Sequence, residues 1–216
     1  MTSRDQDLLA AAAVAGTLLH RPEISSCWDA PSVLDQMSVG MLACHLARQA
    51  SHVAALLDPS TAGGGEGSVV LPEAADHYRR AAWVSATDLD DSALDPSSDA
   101  EDAAQGSDAM LARWDAALAD VRHVLERGTA RDVADLPWQG WSLRRPDFLL
   151  TRMVELVTHT DDLARSVDVL TPDFPSDVYT PVVHLLTTLA VERHGQAAMT
   201  SALTRRERMP STISAF

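Results

Sequence analysis

Apolar residues recur every three or four positions along most of this chain, which is the period of an amphipathic α-helix. The clearest case is a buried stripe on a helix that ends near Gly128. The stripe consists of Leu111, Trp114, Leu118, Val121 and Leu125. No β-branched stretch alternates with polar residues for long enough to predict a strand. The pattern therefore predicts an all-α fold.

Cap and breaker residues divide the first half of the pattern into separate helices. The first helix is predicted over residues 5–20. Ser38 suits the N-cap of a second helix, which continues through Leu56 and ends before the glycine-rich TAGGGEGS. A third helix is predicted to begin at Pro72 and to include Trp83.

The second half begins with a change of composition. Residues 87–108 are rich in Asp, Ser and Ala, which predicts an exposed or mobile connection. The segment DLPWQGWSLRRP is predicted to be a loop, and Pro146 opens a long helix after it. Two further helices are predicted over residues 176–194 and 196–208. Together these helices predict a bundle formed by a single domain, residues 1–216.

Charge and cysteine content restrict the partners of the chain. Acidic residues outnumber basic ones 31 to 17 and no long basic run occurs, so we expect neither a nucleic acid nor an anionic membrane partner. The longest apolar stretch, LLAAAAVAGTLL, is too short to cross a bilayer. The two cysteines form no CxxC motif and the N-terminus has no basic leader, which predicts a cytoplasmic protein.

Candidate chemistry lies on the helix after Pro146. Glu155 and His159 stand one turn apart in RMVELVTHTDDLARSVD, and their polar stripe borders an apolar one. Side chains at i and i+4 point the same way, as two ligands of one metal ion must. An isolated pair of this kind is also compatible with a solvated helix face.

His45 adds a third candidate ligand, because it lies on the side of the second helix that should face the core. A core histidine bonded to a carbonyl is the alternative interpretation. With Glu155 and His159 it completes one carboxylate and two imidazoles. That set is typical of a catalytic metal site with a free coordination position.

Arginines near these residues are candidates for holding an anionic substrate. Arg152 is the first candidate for a catalytic role because it lies one turn before Glu155 on the same stripe, and Arg144 and Arg145 follow. Arg152 could instead form a surface salt bridge with Glu155 or Asp162. Asp162 itself could orient a ligating histidine or be an ordinary residue of the helix face.

Three further residues could border the same site. His52 lies two turns after His45 on the same face, where it could be a pocket wall, an alternative ligand or a partner of a ligand. Trp138 and Trp141 could line the mouth of a pocket or cover the core, and we favour the core.

Three segments of the chain resemble a known family. They are SSCWDAPSVLDQMSVGMLACHLARQ, TRMVELVTHTDDLARSVDV and HGQAAMTSALTRRERMPSTISAF. They are similar to actinobacterial proteins with the mycothiol-dependent maleylpyruvate isomerase N-terminal domain, within the DinB-like superfamily. The resemblance covers nearly the whole chain and implies a DinB-like four-helix bundle, here with additional short C-terminal helices. It also implies a divalent metal, zinc in most members, held by His45, Glu155 and His159.

The resemblance further implies mycothiol as a thiol cosubstrate and a small-molecule electrophile as substrate. A thiolate activated by the metal would act on that electrophile in a transferase or isomerase reaction. The isomerase carries a separate C-terminal domain, whereas only 57 residues with a helical pattern follow His159 here. A mycothiol transferase is therefore at least as well supported as an isomerase.

Two other functions stay open at this stage. The bundle could be a binding module that retains the metal ligands without thiol-transfer catalysis. It could also be a redox-sensing partner of a transcription factor, although only Cys27 and Cys44 are present and they do not look paired. A monomer and a homodimer are both compatible with the sequence.

Overall fold

Four long helices pack around a common apolar interior in this computed structural model, which describes residues 1–61, 68–85 and 95–216. The four helices are α1, α3, α6 and α7, and α8 packs outside them against α7 and α1. The helices are α1 (Ser3–Leu19), α2 (Pro22–Ser26), α3 (Val39–Leu57), α4 (Ala74–Arg80), α5 (Ser97–Ala103), α6 (Ser107–Glu126), α7 (Arg145–Ser166) and α8 (Ser176–Thr204). The predicted all-α fold is confirmed.

Local sequence signals explain where the predicted helices begin and break. The Ser38 hydroxyl accepts a hydrogen bond from the Met41 backbone N–H at 3.2 Å, so Ser38 is the predicted N-cap of α3. Helix α3 ends at Leu57, before the glycine-rich segment, of which residues 62–67 lie outside the described chain. In α8, Gly195 has φ 82° and ψ 158°, which separates the two helices predicted there.

A small sheet in the described residues was not predicted. Its strands are β1 (Val69–Leu71), β2 (Val133–Leu136) and β3 (Trp141–Arg144), in the order β1-β3-β2. Strand β1 is parallel to β3, and β2 is antiparallel to β3. The prediction of a loop for DLPWQGWSLRRP was therefore wrong. An alternation of apolar and polar residues over only three or four positions is too short to be recognised as a strand in the sequence.

Two other segment predictions also require correction. The third helix does not begin at Pro72 but covers Ala74–Arg80, and Trp83 lies in a 3₁₀ turn over Ala82–Ser85. Of the predicted connection 87–108, residues 87–94 lie outside the described chain. The remainder contains helix α5 and the start of α6, with Asp99 buried. Tertiary contacts with α3 order this segment despite its polar composition.

The described residues contain no helix that is both long and apolar enough to cross a membrane.

Candidate metal centre

Helices α3 and α7 pack against each other and bring together the three side chains predicted as metal ligands. One ligand atom from each of His45, Glu155 and His159 lies within 4.8 Å of the other two. The Glu155 Oε2 atom is 3.2 Å from His159 Nε2 and 3.8 Å from His45 Nε2. Two imidazole nitrogens therefore face one carboxylate, which is a donor set that suits zinc.

A carboxylate holds each histidine from its other side. His45 Nδ1 lies 3.1 Å from Asp99 Oδ2, and His159 Nδ1 lies 3.0 Å from Asp162 Oδ2. When Nδ1–H donates to a carboxylate, the tautomer leaves the Nε2 lone pair free for a metal ion. Both ring orientations therefore suit ligation through Nε2, and Asp162 occupies the position predicted for an orienting group.

Asp99 was missed by sequence reasoning, which placed it in an exposed connection. It is only 5% exposed, and Arg48 lies 2.9 Å from its Oδ1 atom. The same guanidinium contacts Asp102 at 2.7 Å, so it holds Asp99 and Asp102 of α5 against α3. No spacing rule links Asp99 to His45, because the two residues are 54 positions apart and meet only through helix packing.

The charges of the three candidate ligands depend on one another. Burial alone would lower the pKa of His159, but its bonds to Asp162 and Glu155 outweigh burial and raise that pKa to about 9. Burial also lowers the pKa of His45, but its interactions with Asp99 and Glu155 outweigh burial and raise that pKa. Burial raises the pKa of Glu155, yet the two histidines hold it well below its ordinary value. Without a cation Glu155 is therefore a carboxylate that faces the imidazolium of His159 at neutral pH, and a metal ion must displace the proton of that ring.

The cluster opens into a pocket of about 340 Å³. The three candidate ligands line the pocket together with Arg152, His52 and Trp138. Its volume suits a small organic ligand.

Arg152 is the only one of the three candidate arginines that lines this pocket. It is 6% exposed and donates a 2.6 Å hydrogen bond to Gln49 Oε1. Within the described chain no carboxylate lies at salt-bridge distance from its guanidinium, so the alternative of a surface salt bridge was wrong. Arg144 is exposed at the end of β3, and Arg145 lies 3.7 Å from Asp5 of α1.

His52 and the two tryptophans predicted near the pocket agree with the predictions only in part. His52 is a wall of the pocket, and its ring stacks on Trp138 with centroids 4.8 Å apart. Trp138 is 52% exposed and borders the pocket, so placing it over the core was wrong. Trp141 is partly buried and packs against the core, as predicted, and its Nε1–H donates to His77 Nδ1 at 3.2 Å.

The orienting role of Asp99 leads to a testable expectation. An Asp99→Asn variant should bind zinc roughly 10- to 100-fold more weakly, because His45 would lose the carboxylate that fixes its ring. Competition with a chromophoric chelator measures this affinity. Asp102→Asn is the matched control, since Asp102 pairs with Arg48 and Arg113 instead of His45. Equal affinities for zinc in the two variants would contradict the assignment.

Comparison with known proteins gives a match to a family model. The family model described as the mycothiol maleylpyruvate isomerase N-terminal domain matches residues 8–164, nearly three quarters of the chain. The match spans the bundle from α1 to α7 and includes all three candidate ligands, while α8 lies beyond it. Neither a curated protein nor a solved structure matches the chain.

Proposed function

We propose that this chain, which belongs to the mycothiol maleylpyruvate isomerase N-terminal domain family, is a zinc-dependent enzyme. It transfers mycothiol to a small electrophile or isomerises that electrophile. The observation that carries this proposal is the cluster of His45, Glu155 and His159 in the wall of a pocket. Three protein ligands leave one coordination position free in a tetrahedral site, as catalytic zinc requires.

The residues fit a resident divalent cation for two reasons. Two imidazoles and a carboxylate form the donor set, and Asp99 and Asp162 each lie at hydrogen-bond distance from the Nδ1 atom of one ring, which favours the tautomer that ligation through Nε2 needs. A bound cation of this kind would stabilise the thiolate form of a coordinating thiol near neutral pH.

Neither cysteine of the chain is needed to provide that thiol. Cys44 is buried, and burial raises the pKa of its thiol to about 11, so it is protonated at neutral pH. Cys27 does not border the pocket. The reacting thiol therefore comes from a cosubstrate, and mycothiol is the one to which the family name points.

Arg152 positions the electrophile in this proposal. Its guanidinium is buried, and its hydrogen bonds go to the neutral acceptors Gln49 Oε1 and Thr151 Oγ1. Glu155 is the nearby carboxylate that could balance its charge, but it is engaged as a metal ligand when the cation is present. A buried charge without a paired anion is costly, so the electrophile is expected to carry an anionic group that faces Arg152.

The proposal is tested by metal analysis combined with a turnover assay. Protein purified without chelator should contain about one equivalent of zinc and should consume mycothiol in the presence of a suitable electrophile from a panel that includes maleylpyruvate. Chelation should stop turnover, and added zinc should restore it. Folded wild-type protein that binds no divalent metal would contradict the proposal. Tight ligand binding without turnover would favour a binding module.

A further inference from the structure

We propose that the mouth of the pocket, defined here as His52, Trp138 and Gln139, binds the hydroxyl-rich sugar portion of a glycosylated thiol. The inference rests on the proposed thiol chemistry and adds to it the part of the cosubstrate that is recognised. Mycothiol is a thiol of this class, because its cysteinyl group is joined to glucosamine and inositol.

The hairpin between β2 and β3 holds Trp138 in place at the mouth. The Leu136 carbonyl accepts hydrogen bonds from the backbone N–H groups of Gln139 at 2.9 Å and Gly140 at 3.0 Å. Gly140 has φ 79°, a conformation that favours glycine and closes the turn. The indole is 52% exposed, so a large aromatic surface is presented to solvent at the edge of a pocket.

His52 supports the indole from the protein side. Its ring is nearly parallel to that of Trp138, with an interplanar angle of 29° and a centroid distance of 4.8 Å. The His52 Nδ1 atom is buried and has no hydrogen-bond partner within the described chain. The packing of its ring on Trp138, and not a hydrogen bond of Nδ1, therefore supports the indole.

The chemistry of the mouth favours an uncharged polyol over an ion. Burial, followed by the charges of Arg152 and Arg48, lowers the pKa of His52 to about 3, so its ring is neutral at physiological pH. The Gln139 amide offers both a donor and an acceptor, as hydroxyl groups do, and the neutral His52 ring adds no charge. Asp95 also borders the pocket, and its carboxylate disfavours an anion there. The exposed indole suits the apolar C–H face of a sugar ring.

Spacing along α3 separates the mouth from the metal centre. His45 and His52 are seven residues apart on one helix face, which corresponds to about 10 Å along the axis. One amino-acid residue spans at most about 3.6 Å, so a free cysteine with its sulfur at the metal centre does not reach the mouth. A cysteinyl thiol extended by sugar rings does.

The test compares two thiols that share the reacting group. A Trp138→Ala variant should raise the KM for mycothiol by about tenfold, because the sugar loses its aromatic contact. The KM for N-acetylcysteine, which lacks the sugar, and the zinc content should both stay within twofold of wild type. Trp138→Phe should retain most of the preference for mycothiol. Tyr179→Ala is the matched control, since Tyr179 is also 52% exposed but lies on α8.

A binding measurement separates this inference from the proposed function. Calorimetry with glucosaminyl-inositol, which has no thiol, should detect binding to wild-type protein and a loss of about tenfold in affinity for Trp138→Ala. Turnover of N-acetylcysteine without any binding of glucosaminyl-inositol would overturn the inference and leave the proposed function standing. Equal KM changes for both thiols would overturn it as well. Binding of the sugar without turnover of any thiol would support the assignment of the mouth as a sugar site and contradict the proposed enzymatic function.

Discussion

A His159→Ala variant is expected to lose its zinc and all metal-dependent thiol turnover. In the proposed metal centre His159 supplies one of two imidazole ligands, and its Nε2 atom lies 3.2 Å from Glu155 Oε2. Removing a group that merely orients a ligand already weakens metal binding by roughly 10- to 100-fold, so loss of a ligand should exceed about 100-fold. Elemental analysis after gel filtration measures the zinc that remains bound, and circular dichroism verifies that the bundle is folded.

His184→Ala is the matched control for this variant. His184 is an exposed histidine of α8 outside the pocket lining, so its loss should change neither zinc content nor turnover. A His159→Ala protein that keeps one equivalent of zinc and full turnover would show that the metal lies elsewhere.

An Arg152→Met variant should lose about 10- to 100-fold in kcat/KM for an electrophile that carries a carboxylate. A hydrogen bond to a charged group contributes roughly 1.5–3 kcal/mol, which corresponds to about one to two factors of ten in rate or binding. Methionine fills part of the same buried space without the charge, so the bundle should stay folded. Steady-state kinetics on matched carboxylate and amide forms of one electrophile isolate the effect of the charge.

The amide form provides the internal control for this comparison. Its kcat/KM should change by no more than about threefold in Arg152→Met. Arg80→Met, which removes an exposed arginine at the end of α4, should leave both substrates unaffected. Equal losses for the carboxylate and the amide would mean that Arg152 supports the pocket wall and does not bind an anion.

Helical periodicity explains why the bundle and the cluster of three candidate ligands were predictable. Glu155 and His159 are four residues apart on α7, and His45 lies on the inward side of α3, so local geometry already oriented all three. Such reasoning works because a long helix fixes the relative direction of its side chains over many residues.

Asp99 and the sheet show where local patterns fail. Helix α5 has seven residues, and isolated helices of that length are unstable in water. Its order depends on long-range contacts such as Asp99 with His45 and Asp102 with Arg48. The same holds for β1, which pairs with a strand about 70 positions later in the chain. Contacts between segments so distant in sequence leave no periodic trace in either segment.

The anchoring of α5 has a consequence for the cooperativity of folding. One face of this helix reaches the imidazole of His45, and the residues just before it, Asp95 and Pro96, form part of the cavity wall. A cation bound between α3 and α7 would thus act as a cross-link whose influence extends through Asp99 to a third segment. Binding of the ion and ordering of that wall are therefore thermodynamically coupled. Loss of the ion is expected to destabilise the wall, and disruption of the wall is expected to weaken ion binding.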